Sequence, residues 1–138
     1  MLLLRGNRAV SNASPLIHLA RVVRLHLLRN LYQEILIPDK VFRETCVIQK
    51  SPDSVIIQVP IGEGWRLVRP MKNSTIDILS ASAGIDPGEA AAILLTKEKR
   101  LLLLIDDKMG RTAAKIFGIP CLSAIGIHIQ VLTRRIFV

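Results

Sequence analysis

A chain of 138 residues, half of them hydrophobic and only 4% aromatic, is sized for one domain with a core of Leu, Ile, Val and Ala. No apolar run approaches the roughly 18 to 20 residues of a membrane span, and the opening "MLLLRGN" is too short for a signal peptide, so the sequence predicts a cytoplasmic protein without a membrane partner. Nineteen Lys and Arg against eleven Asp and Glu leave a net charge of +8, which favours a polyanionic partner such as RNA or DNA.

No Lys/Arg block forms a tail, so any basic surface has to be assembled by folding. The two cysteines, Cys46 and Cys121, lie far apart without metal-ligand spacing and are expected to be free thiols.

In chain order, "RAVSN" (8–12) predicts a short strand ending at Asn12. "SPLIHLARVVRLHLLRNLY" predicts a helix, with Ser14 as N-cap and Pro15 at the first helical position. Leu16, Leu19, Ala20, Val23, Leu27 and Leu31 recur in it at helical spacing, leaving Arg21, Arg24 and Arg29 largely outside. "EILIP" (34–38) is a second strand, and 39–49 a second helix that Asp39 is able to cap. Lys50 to Gly64 reads as loop, "WRLVRP" (65–70) as an edge strand, and a third helix takes part of 73–83.

"DPGEAAAILLTKEK" (86–99) predicts a helix capped by Asp86, with Pro87 in the first turn and Glu89 three residues after the cap. "RLLLLID" (100–106) is a buried strand, 108–118 a helix closed by Gly118, and 119–124 the last strand. The final "IGIHIQVLTRRIFV" suits either element. Ile125, Ile127, Ile129 and Val131 alternate, while Ile125, Ile129 and Leu132 fit a helix. No repeat or linker divides residues 1–138.

Apolar strands separated by helices imply the α/β class, with a central parallel sheet flanked by helices on both faces. Ligands then bind outside the carboxyl ends of the strands, where Asn12, Asp106 and Asp107 fall. A phosphoryl-receiving pocket is excluded, because no Asp or Glu follows Asp107 to supply later acidic positions. P-loop, dinucleotide and nucleophile-elbow patterns are absent. His18, His26 and His128 lack ligand spacing and predict surface or packing roles.

A site for a hard divalent ion remains, since such ions take several oxygens, with carboxylates supplying the charge. The carboxylates near predicted strand ends are Glu44, Glu89, Asp106 and Asp107. Each also has a plainer role. Glu89 completes a capping box with Asp86, Glu44 suits an exposed helix, and Asp107 suits a cap on the helix that follows. Their convergence at one end of one sheet favours the ligand role.

The strings "SPLI", "IP..V..E", "GEAAAI" and "IDD..GR..A...GI", in this order between about Val10 and Gly126, resemble PIN-domain proteins, closest to the VapC-type branch of bacterial toxin–antitoxin pairs. The resemblance implies a Rossmann-like PIN fold and a Mg²⁺- or Mn²⁺-dependent endoribonuclease, with RNA as substrate and a protein antitoxin as partner. It places position 12, Glu44, Glu89 and one of Asp106 and Asp107 around the ion, Asp107 being the better match. Ser14 matches a small hydroxyl residue near the metal. Lys108 and Arg111 would hold the phosphate, or be ordinary helix surface charge.

Two departures stand out. Asn12 replaces the usual Asp and removes one negative charge, so a catalytically weakened or inactive PIN-fold binding module is the alternative function. The chain ends at "RRIFV", where such proteins often continue with further helices. Ile136, Phe137 and Val138 therefore predict a cover, namely a homodimer contact, a truncated helical tail or an antitoxin groove.

Overall fold

The computed structural model describes residues 8–22, 26–43 and 66–137, and Glu44, Cys46 and the expected loop at 50–64 lie outside them. Among the described residues, five strands form one sheet: β1 (Arg8–Ser11), β2 (Glu34–Pro38), β3 (Arg66–Arg69), β4 (Leu102–Leu104) and β5 (Cys121–Leu122). Their spatial order is β3-β2-β1-β4-β5 and every pairing is parallel. The stretch expected as an edge strand, β3, is at the edge.

Alternation along each strand divides the core between the two faces. Ala9, Ile35, Ile37 and Leu104 point to one face, where they pack with α1 (Ala13–Arg21), α2 (His26–Leu31) and α7 (Ala124–Phe137). Val10, Leu36, Leu103 and Ile105 point to the other, against α4 (Asn73–Ala83), α5 (Pro87–Lys99) and α6 (Lys108–Ile116). The short α3 (Asp39–Phe42) follows β2 directly. Both faces are covered, as continuous apolar strands require.

Several boundaries differ from the sequence reading. The helix expected from Ser14 begins one residue earlier, at Ala13, with Asn12 at the cap position and no side-chain cap bond. Pro15 is thus the third helical residue, still within the turn whose N–H groups have no helical partner. That helix also closes at Val22, a β-branched residue at φ −96° and ψ 12°, and a second one begins at His26. β4 is shorter than expected because Arg100 is spent ending α5 in the left-handed conformation, φ 57°.

The ambiguous C-terminal stretch is a helix. Ala124, Ile127 and Val131 face the core. Ile125, Ile129 and Leu132 share the opposite, exposed face. Among the described residues no single helix is long and apolar enough to cross a membrane.

Candidate functional site

Parallel pairing of β1 with β4 sets Ser11 opposite Leu104, so the residues that follow both strands emerge side by side. Asn12 donates its backbone N–H to the Leu104 carbonyl at 2.9 Å and is 4% exposed. It is therefore locked at the carboxyl end of the sheet, where a parallel α/β fold binds its ligands. Asp106 and Asp107 follow β4 at the same end.

The N-terminus of α5 brings in Glu89. Asp86 accepts from the Glu89 N–H at 2.7 Å, and the Asp86 N–H donates to Glu89 Oε1 at 3.1 Å, which is the reciprocal box expected from "DPGE". One carboxylate oxygen completes the cap. The other, Oε2, is buried with no hydrogen-bond partner among the described residues, on a residue only 6% exposed. The structural and the ligand reading of Glu89 thus belong to different oxygens of one group.

Oε2 looks toward the first turn of α6. Asp107 caps that helix, its Oδ2 accepting from the Gly110 N–H at 2.9 Å. Gly110 is what lets the two carboxylates share the space, since a Cβ there would stand 2.8 Å from Glu89 Oε2 and 2.5 Å from Ile105 Cδ1. Burial first, and the adjacent Asp107 carboxylate second, push Glu89 up to about 8. Asp107 goes the other way. The Gly110 N–H holds it below its ordinary value, aided by Glu89, the Met109 N–H and the Arg111 charge. At neutral pH the pair shares one proton, with the charge on the exposed Asp107.

Such a pair suits a divalent cation, because an ion can replace the shared proton as the positive partner of Glu89 Oε2. Among the described residues, no three or more His, Cys, Asp or Glu come together in a way that would hold a metal. The described donors are thus two carboxylates, with the neutral Asn12 beyond them at the same sheet end.

Asp106 is employed elsewhere. Its Oδ1 accepts the Ala124 N–H at 2.7 Å, anchoring the start of α7, and its Oδ2 lies 2.6 Å from Nδ1 of the half-exposed His18. The two neighbouring aspartates therefore cap two different helices, and only Asp107 meets Glu89. Ser14 is half-buried in the first turn of α1, while Lys108 and Arg111 are exposed on α6.

His18 and Gly110 were not singled out as site residues by sequence reasoning. A histidine isolated in a helix carries no signal for a partner 88 residues away. Gly110 did leave one, as a glycine at the third position after a capping Asp, where a side chain is normally tolerated.

A family model described as PIN domain matches residues 8–137. Among solved structures, the chain is similar to the crystal structure of PAE2754 from Pyrobaculum aerophilum, with a TM-score of 0.60 and 11% identity over 91% of this chain and 90% of that one. At that identity the likeness speaks for the fold. No curated protein matches the chain.

Proposed function

Because the chain belongs to the PIN-domain family, a nuclease-type fold generally dependent on a divalent metal, we propose that it is a Mg²⁺- or Mn²⁺-dependent endoribonuclease. On this reading it is the VapC-type toxin of a toxin–antitoxin pair, acting on RNA in the cytoplasm. The observation that carries the reading is Glu89 Oε2, buried and unpartnered beside the Asp107 carboxylate. A capping role alone leaves that oxygen unexplained: without an ion it needs the proton shared with Asp107, and a cation is the other positive partner able to meet it.

Glu89 and Asp107 would hold the ion, joined by Glu44 and by the neutral oxygen of Asn12, with Ser14 close by. A bound divalent ion supplies an acidified water and screens charge developing on a phosphodiester. Asp107 is kept ionised by the Gly110 N–H, so it offers a charged oxygen at once. Glu89 would have to give up its proton to hold the ion. Lys108 and Arg111, in the first turn after Asp107, would hold phosphate oxygens.

Asn12 favours a second reading, a PIN-fold module with weakened cleavage, because a neutral ligand lowers divalent affinity. The exposed Ile125, Ile129 and Leu132 of α7 support a protein contact, with the antitoxin or a second copy in a homodimer.

The test is incubation of the purified protein with RNA and Mn²⁺. Cleavage that is lost in both Glu89→Gln and Asp107→Asn supports the nuclease. Cleavage that persists in both removes this pair from the site, and no cleavage by the parent favours the weakened module.

A further inference from the structure

Immediately beyond Asp107, one face of α6 carries Lys108, Arg111, Thr112 and Lys115, spaced so that they line up along the helix. With Ile119, Pro120 and Cys121 they enclose an open pocket of about 530 Å³. Among the described residues, no carboxylate lines it. None of its three cations has an ion-pair partner within 4.0 Å among the described residues. Three positive charges gathered around one concavity repel one another, and an anion is the ligand that relieves this.

Lys115 lies seven positions after Lys108, or about 10 Å along the helix axis. That is longer than one phosphate and continues directly from the carboxylate pair. Arg111 joins the two places, since its charge acts on both Asp107 and the Cys121 thiol. The rest of the lining beyond the helix is apolar, Ile119 and Pro120 with Cys121. Cations and an apolar lining together suit a nucleotide, whose phosphate meets the charges and whose base lies on the apolar part. A base has to be unstacked to enter a concave pocket, which selects a single strand over a duplex.

We propose that this pocket is a flanking subsite that binds the nucleotide of single-stranded RNA next to the one positioned at Glu89 and Asp107. Its role as a subsite rests on the nuclease reading, whereas its binding of RNA can be measured without cleavage.

The experiment is anisotropy of a fluorescein-labelled single-stranded RNA in EDTA, titrated with the protein at several salt concentrations. Lys115→Ala is expected to weaken binding about three- to tenfold and to reduce the slope of log Kd against log salt by about one. Lys72→Ala, which removes an exposed charge that does not line the pocket, is expected to leave affinity within about twofold. In a Cys46→Ser background, bound RNA is expected to slow alkylation of Cys121.

Equal losses from Lys115→Ala and Lys72→Ala would mean diffuse charge attraction and overturn the proposal. So would unprotected Cys121 at saturating RNA, or equal affinity for duplex RNA of the same sequence. The two readings fail separately. Mn²⁺-dependent cleavage with pocket-independent binding overturns the subsite alone, and pocket-dependent binding without any cleavage overturns the nuclease alone.

Discussion

Glu89 and Gly110 approach so closely that a Cβ on the glycine would stand 2.8 Å from Glu89 Oε2. On helix propensity alone, Gly110→Ala would stabilise α6 by about 0.5–1 kcal/mol. The clash, made worse by Ile105 Cδ1, reverses the sign. Gly110→Ala is expected to destabilise by about 1–3 kcal/mol in urea unfolding, and to weaken Mn²⁺ binding as Glu89 is displaced. A stabilised variant would show that the approach is looser than described.

Stability should also depend on pH through Glu89. Its folded value is raised from 4.5 to about 8, so between those values the folded protein holds a proton that the unfolded chain has released. That contribution is fully present below about 4.5, declines as pH rises, and is gone above about 8. Asp107, held low, contributes in the opposite sense: its share is present above 3.8 and lost as pH falls through the lower folded value. Thermal melts in EDTA between pH 5 and pH 8 should show a falling Tm in the parent and a flatter profile in Glu89→Gln. Parallel profiles would contradict the assignment.

The two aspartates should separate cleanly. Asp106→Ala removes the anchor on Ala124 and the partner of His18, and is expected to cost about 1–2 kcal/mol while leaving Mn²⁺ affinity unchanged. Asp107→Ala removes the Gly110 cap at about 1 kcal/mol and abolishes Mn²⁺ binding. Calorimetric titration of both variants decides it, and the reverse pattern would move the ligand to Asp106.

Asn12→Asp places a carboxylate at a position only 4% exposed. Without metal it should lower stability, because a buried charge without a partner is costly. With metal it should bind Mn²⁺ on the order of tenfold more tightly, since ligand charge sets divalent affinity. A lower Tm in EDTA that Mn²⁺ restores is the expected pair of results. Unchanged affinity in calorimetry would mean that residue 12 does not face the ion.

Much of this arrangement was legible in the sequence. Continuous apolar strands between helices announced a parallel sheet covered on both faces, and "DPGE" announced a capping box that the structure forms. Asn12 and Asp107 were placed correctly at strand ends by periodicity alone. What the sequence did not carry was the division of labour within groups and between neighbours. Periodicity cannot say that one oxygen of Glu89 caps a helix while the other is left over. Nor can it separate Asp106 from Asp107, because their roles depend on His18 and Ala124, which only tertiary folding brings near. The C-terminal stretch was ambiguous because isoleucine suits both elements, and Asp106 settles it by anchoring the first turn.

If Glu89 and Asp107 form a cation site held by one shared proton, binding of the ion must displace that proton. Calorimetric titration of Mn²⁺ near pH 7, in buffers of different ionisation enthalpy, tests it directly. The predicted result is Mn²⁺ binding that releases close to one proton per ion, with binding and release both lost in Glu89→Gln. Binding of equal strength in Glu89→Gln without proton release would contradict it.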